Sequence, residues 1–453
     1  MLKTRFSKLL KISALLMIGM LCICSCSEES GDSRTGSSVK DSDSPVEEGA
    51  ALLTQNSGNT GIAQTDSGMY RISYEEIMDG KWGQKIYYVD YASAQEVVLC
   101  NNASCKHDNE NCMGIIMDDA IAGSPELFVY HDKLYVFKTQ DDSGSMEIVT
   151  DTEGILESPS FPSKLYEMNL DGTDRHVAME FPEEATIGEQ VFSYNGKLVF
   201  CQKKIKSETN KNGETYHSAV ETKLITLDAA KGTTDELIKL PDGLTISGAS
   251  GDSLVCQKTV YPDGYTQKEA DSMDYNTWRD LMDHSTEQIT LVSLQTGESQ
   301  VLWEGSTSDG LGAFIMNDHL YLPKDNSTIA AFNLESKDKK NIKMDADYEL
   351  ISQLGDRIYC WKNGNPDERY CWDPETNSLS EFSMNIKGTG LPLEILAYND
   401  DSILAVCDGK IIFSSDGSYE FESSSFGIIK KEDLYRGETG YTPVKMCSKG
   451  WLL

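Results

Sequence analysis

Val191-Phe-Ser-Tyr-Asn-Gly-Lys-Leu-Val-Phe200 reads as an apolar strand, a two-residue turn and a second apolar strand. Asn-Gly supplies the positive φ that a two-residue hairpin requires. The signature returns at Phe128–Phe137, Ile246–Val255, Phe314–Leu322, Ile351–Cys360 and Ile395–Leu404, with a weaker first copy at Ile62–Ile72. A second signature alternates with it: an apolar pair, a polar residue, a turn, then another strand. Its polar residues are Asp90, Asn169, Asp228, Ser293, Asn333, Asp373 and Ser414, and the last three intervals are 40, 40 and 41 residues. One four-stranded propeller blade occupies about 40–45 residues. Solenoid coils are shorter, and sandwiches do not repeat at a fixed period. The pattern therefore predicts an all-β fold, a seven-bladed β-propeller over residues 59–453. Strand-like sequence after residue 426 leaves six or eight blades open.

The start of the chain has a different character. Met1–Lys11 is basic, and Ile12–Cys24 is apolar apart from Ser13 and Gly19. A spanning helix needs about 20 apolar residues, so this run reads as a secretory signal. It ends in Leu21-Cys-Ile-Cys-Ser-Cys26, which resembles the lipobox of bacterial lipoproteins. Ile23 and Ser25 stand at −3 and −1 of Cys26, making Cys26 the expected lipidation site and residues 1–25 a lipoprotein signal peptide. The rival is an ordinary cleaved signal with incidental cysteines. Residues 26–58 follow as an acidic Ser/Gly segment that cannot bury enough apolar surface to offset its ordering entropy. They are expected to be a flexible tether, holding the body at the extracytoplasmic face of the cell membrane.

Lys and Arg number 40 against 73 Asp and Glu, a formal charge of −33. Such a surface is repelled by phosphate backbones, which argues against nucleic acid as a partner. The body resembles a set of Gram-positive surface lipoproteins described as TolB-like or DUF5050-type propellers. The resemblance rests on Asp171-Gly-Thr173, Leu99-Cys-Asn-Asn-Ala-Ser-Cys-Lys-His-Asp108 and Phe426-Gly-Ile-Ile-Lys-Lys-Glu-Asp-Leu-Tyr435. It implies the propeller fold and brings no catalytic residues.

In a blade, the A–B and C–D turns lie on one face of the ring, and the B–C loops and D-to-A crossovers on the other. The tight turns are all of the first kind. Excess length falls in 100–125, 138–163, 202–222 and 257–287, over blades 1 to 4, which predicts a binding face built from these loops. Tolerated surface loops are the bland alternative. The largest insertion carries Tyr261, Tyr265, Tyr275 and Trp278 beside carboxylates, with a short helix expected within Lys268–His284. Rings beside carboxylates suit a glycan or a peptide, although the same rings could simply pin the loop.

Cys201, Cys256, Cys360, Cys371 and Cys407 fall on strands, where cysteine fills core space as a small hydrophobe. Cys100-x4-Cys105-x-His107-x4-Cys112 stands apart. Three thiols and an imidazole within this span are consistent with a zinc site, a disulfide or free thiols. No G-x-S-x-G, H-E-x-x-H or Walker loop is present. The reading that follows is a binding or interaction protein at the cell surface. The alternative is a glycan-acting hydrolase or lyase on a propeller scaffold, which would need two facing carboxylates.

Overall fold

The computed structural model describes residues 49–54, 61–78, 80–117, 125–139, 162–182, 186–209, 215–228, 231–266, 269–270, 273, 275–306, 313–316, 318–325, 327–382, 384–413 and 419–448. Cys26, the signal peptide and most of the tether lie outside them, as does most of the loop 138–163.

Seven antiparallel sheets follow one another along the chain, each built from consecutive strands A to D. Blade 1 comprises Ile62–Thr65, Gly68–Met78, Lys81–Asp90 and Gln95–Val98, and blade 2 Glu126–Tyr130, Lys133–Lys138, Lys164–Asn169 and His176–Glu180. Blade 3 comprises Thr186–Tyr194, Lys197–Thr209, Thr215–Asp228 and Thr233–Leu240, and blade 4 Thr245–Ser250, Ser253–Val260, Thr286–Ser293 and Ser299–Ser306. Blade 5 is Phe314–Met316, His319–Asp325, Thr328–Asn333 and Lys339–Lys343, and blade 6 is Tyr348–Leu354, Arg357–Lys362, Asn365–Asp373 and Ser378–Glu381. Blade 7 is Glu394–Tyr398, Ser402–Phe413, Tyr419–Lys430 and Thr442–Pro443.

The strand residues that alternate inward on both faces of a blade pack against its neighbours, so the core lies in the seams. Phe128 and Phe137 of blade 2 meet Val191 and Phe200 of blade 3; Phe192 of blade 3 meets Ile246 and Leu254 of blade 4. The pattern continues round to blades 6 and 7, where Tyr359 meets Ile403 and Ile429. Ile62, Met69 and Val89 of blade 1 join Leu396, Leu404 and Phe426 of blade 7, which closes the ring. Each of the five strand cysteines is buried in such a seam.

The turns have a local chemical cause. His131 and Asp132 at one A–B turn, and Asn195 and Gly196 at another, hold positive φ. A polar residue that ends a C strand caps the next turn in blades 1, 3, 4, 5 and 6. Asp90 Oδ1 accepts the Ser93 amide, and Asp373 Oδ1 accepts the amides of Glu375 and Thr376. Asn333 Oδ1 likewise accepts the amides of Glu335 and Ser336. These Asx turns explain why a polar residue recurs at that position.

Three expectations need correction. The folded body begins before residue 59: Ala50–Leu52 pairs antiparallel with the innermost strand of blade 3, so residues 49–54 are part of the ring and not of a tether. Ala50 and Leu52 are buried among Phe192, Tyr194 and Ile246, and that apolar contact holds them there. Second, Ile412–Ser414 is not the C strand of blade 7. Strand B runs on to Phe413, because Asp408-Gly409-Lys410, which reads as a turn, is absorbed as bulges against Ser423–Phe426. Blade 7 therefore also carries a long B–C hairpin. Third, its C–D connection is not tight; it contains a short helix, Lys431–Tyr435, whose Tyr435 hydroxyl donates to Leu354 O at 3.0 Å on blade 6.

The chain after Pro443 is strapped onto blade 1. Lys445 bridges Gln95 in parallel, and its amide donates to Ala94 O at 2.8 Å. Glu96 sits beneath this strap. Its Oε1 accepts Arg71 Nε at 2.9 Å and Nη2 at 2.6 Å, and its Oε2 accepts the amides of Cys447 at 3.1 Å and Ser448 at 2.9 Å. Arg71 stacks over Tyr87 at 4.4 Å, and both charged side chains are fully buried. Glu96→Ala leaves a buried guanidinium unpaired and should cost about 3–5 kcal/mol. Urea unfolding of the two proteins measures this; an unchanged midpoint would remove Glu96 from ring closure.

Candidate functional site

Two features carry chemistry: the Cys-His segment and the B–C face. The segment is spliced into an edge strand. Gln95–Val98 and Ile115–Met117 pair in the same direction with successive parts of Lys81–Asp90. Both arms meet at one residue, where Leu99 N donates to Ile86 O and Ile86 N donates to Gly114 O. Residues 100–113 thus leave and re-enter a single strand line as an Ω-loop.

Two Asn-led turns shape the loop. Asn102 Oδ1 accepts the Ser104 amide and Asn102 O the Cys105 amide; Asn109 repeats this with Asn111 and Cys112. His107 lies in the left-handed region at φ 56°, which puts its Nδ1 3.3 Å from Cys112 Sγ. The ligand atoms of Cys100, Cys105, His107 and Cys112 lie within 4.8 Å of one another, so the four residues could hold a metal ion. Burial would raise the Cys100 thiol, but the amides of Asn102 and Met113 and the neighbouring thiols outweigh it and bring it below the ordinary value. Burial pushes Cys112 up to about 12 against the amide of Gly114. Burial, then Lys85, lowers His107 and favours neutral imidazole.

The loop does not join the B–C loops in one binding face, as the sequence predicts for residues 100–125. It projects from the outermost strand of blade 1 and docks on the C–D turn of blade 2. Arg175 Nη1 donates to Met113 O at 2.7 Å and also to Ile115 O, and Asn101 Nδ2 donates to Asp171 Oδ2 at 3.4 Å. Gly172 holds φ 82°, and a Cβ there would lie 2.8 Å from Leu99 O.

The second feature is the distribution of exposed rings. Among the described residues, the exposed aromatic side chains are Tyr74, Trp82, Tyr265, Trp278 and Phe413. All five lie in the B–C hairpins of blades 1 and 7 or in the B–C insertion of blade 4. Tyr74 and Trp82 stack at 5.3 Å across their hairpin, and exposed Ile412 precedes Phe413 at the tip of another. In blade 4 the expected helix is present as Tyr275–Asp283 (α1), preceded by a turn in which Thr266 and Glu269 cap each other. Leu281 and Ala270 are buried and anchor the insertion, leaving Tyr265 and Trp278 outward. Tyr261 is half-buried; the side chain of Tyr275 lies outside the described residues. Tyr74, Trp82 and Phe413 escaped the sequence reading. The long strands flanking Asp79-Gly80 were the available signal, and Phe413 was read as core of a strand it does not belong to.

The chain reaches the ring from the other side. Gly49 N donates to Asn195 Oδ1 at 3.4 Å and Ala50 N to Gly251 O at 2.7 Å, both at A–B turns. Glu394 begins the innermost strand of blade 7, and burial pushes its carboxyl up to about 7.

No family model and no curated protein matches the chain. Among solved structures, an acylaminoacyl peptidase in complex with Z-Gly-Gly-Phe-chloromethyl ketone aligns at TM-score 0.46 and 12% identity, covering 88% of this chain and 52% of that one. The chain thus spans about half the length of that peptidase. The β-propeller domain of the trilobed protease from Pyrococcus furiosus aligns at TM-score 0.42 and 10% identity, over 84% and 98%. An oligogalacturonate lyase from Vibrio parahaemolyticus aligns at 0.39 and 12%, over 74% and 87%. Likeness at this level concerns architecture and carries no chemistry across.

Two outcomes are expected. Gly172→Ala should cost at least about 1 kcal/mol, from a left-handed backbone and the contact with Leu99 O; hydrogen exchange should show faster exchange in 100–113, and unchanged protection there would refute the docking. The ordinary carboxyl value of Glu394 lies below its folded one, so folding takes up a proton between the two. Stability is then lost as pH rises from about 4.5 to about 7. Glu394→Gln should raise the melting temperature at pH 8 more than at pH 4; equal shifts at both would refute it.

Proposed function

We propose that the chain is a lipid-anchored extracytoplasmic propeller that binds a glycan or peptide on its B–C face. The observation that carries this is that every exposed Phe, Trp and Tyr among the described residues lies in a B–C hairpin or the B–C insertion of blade 4. Rings stack on the apolar faces of sugars and on peptide side chains, and an acidic surround accepts hydroxyl and amine donors. The direction of entry supports the same reading. Gly49 meets the ring at its A–B turns, so a tether from Cys26 would join the face opposite the rings. The ligand face would then point away from the lipid. The lipobox-like leader and the resemblance to TolB-like surface lipoproteins supply the location.

The test is binding of the purified body to cell-wall fragments, soluble glycans and peptides. Trp82→Ala, Trp278→Ala and Phe413→Ala should each weaken a found ligand about tenfold, the effect of losing roughly 1–2 kcal/mol of stacking. Melting temperatures should barely move, since these rings are exposed. Asn195→Ala and Asp318→Ala, on the opposite face, should leave affinity unchanged; the reverse pattern would sink the proposal. Separately, Cys26→Ala should shift the protein from the membrane fraction to the soluble one or leave the leader uncleaved. A membrane-bound, normally processed variant would reject lipidation at Cys26.

A further inference from the structure

We propose that Cys100, Cys105, His107 and Cys112 bind one zinc ion in a closed tetrahedral site that staples the Ω-loop to the seam between blades 1 and 2. The ligand atoms already lie within 4.8 Å of one another. Zinc bonds of about 2.3 Å to sulfur and 2.0–2.1 Å to nitrogen set tetrahedral edges near 3.5–3.8 Å. A contraction of about 1 Å brings the set to that geometry.

The contacts around the sulfurs point the same way: the His107 amide donates to Cys105 Sγ at 3.4 Å, and the His107 ring lies 3.3 Å from Cys112 Sγ. A thiol sulfur is a weak acceptor, whereas a thiolate, the form that ligates metal, is a strong one. Zinc would hold the three sulfurs as thiolates. With Zn²⁺ they would carry about one net negative charge. A cation is seated against the loop: Arg175 donates to Met113 O at 2.7 Å.

A disulfide explains less. It would take two sulfurs to about 2.05 Å and leave the third thiol and the imidazole without a role. His107 is held at positive φ, a conformation costing about 1–2 kcal/mol for a side-chain-bearing residue, with its Nδ1 turned to the sulfurs. A metal bond accounts for that orientation. The loop brings little apolar packing of its own: among the described residues its members of the cluster with Ile77 and Ile115 are the cysteines themselves, buried Cys112 and partly buried Cys100 and Cys105. Four protein ligands leave no open coordination position, so the site is structural and not catalytic.

The experiment uses the soluble form of the whole mature chain, purified with zinc present and without chelator. One zinc per chain by elemental analysis is expected, with all three thiols released to a thiol reagent only after denaturation and chelation. Replacement by Co²⁺ should give the visible absorption of a tetrahedral, thiolate-bound ion. Cys105→Ser and His107→Ala should lose the metal. His107→Cys should keep it, which separates ligand loss from misfolding. Chelation should lower the melting temperature of the wild type and leave that of Cys105→Ser unchanged. A protein with no zinc and a disulfide between two of these cysteines would overturn the proposal. So would zinc bound equally well by Cys105→Ser and by wild type.

Discussion

Glu96 accepts hydrogen bonds from the Arg71 guanidinium, from the amides of Cys447 and Ser448 and from the Cys447 thiol, at a point where no strand A to D crosses from one end of the chain to the other. Strands A to D of every blade are consecutive, so no blade takes its four strands from both ends of the chain. Apolar packing between blades 1 and 7 brings the ends together, but packing is non-directional. The buried carboxylate adds direction, because charge-assisted bonds to two backbone amides hold the strap in one register. A buried ion pair is weak evidence for net stability. Its consequence here is specificity of closure: Arg71 alone would be an uncompensated charge, and Glu96 alone could not hold the strap.

Closure divides the molecule into two unlike faces. On one, short turns are capped by Asp, Asn and Ser side chains and by residues at positive φ, which leaves little surface to vary. On the other, the hairpins of blades 1, 3 and 7 and the helical insertion of blade 4 extend past the ring. Their backbone bonds are satisfied within each hairpin, so tips can carry exposed rings without leaving buried polar groups unpaired. The strand Ala50–Leu52 enters from the capped face and lies along the channel side of blade 3. Any attachment ahead of it is therefore separated from the hairpin tips by the thickness of the ring.

The Cys-His loop shows how an edge strand can host a second structure. Ile86 bonds to both arms of the interrupted strand, so the sheet survives the insertion of residues 100–113. Arg175 and the glycine at 172 seat the loop on blade 2. A change in the loop is thereby felt at an inter-blade seam rather than at a ligand-facing tip.

The sequence by itself determined the all-β class, the blade repeat and six of the seven C strands, because side-chain alternation and turn chemistry are local properties of the chain. It also singled out Cys100, Cys105, His107 and Cys112, since close spacing brings ligands together whatever the rest of the fold does. Tertiary structure decided the rest. Asp408-Gly409-Lys410 has turn composition, and only pairing with strand C makes it a bulged strand. Ala50–Leu52 has no strand signature, and its place is set by a seam between blades 3 and 4 formed by residues about 140–200 positions away. The position of the Cys-His loop depended on which edge its two arms pair with, a question of register that composition does not record. The shared face of Tyr74, Trp82, Trp278 and Phe413 likewise arises only when the ring closes, because residues over 300 positions apart have no local reason to point the same way.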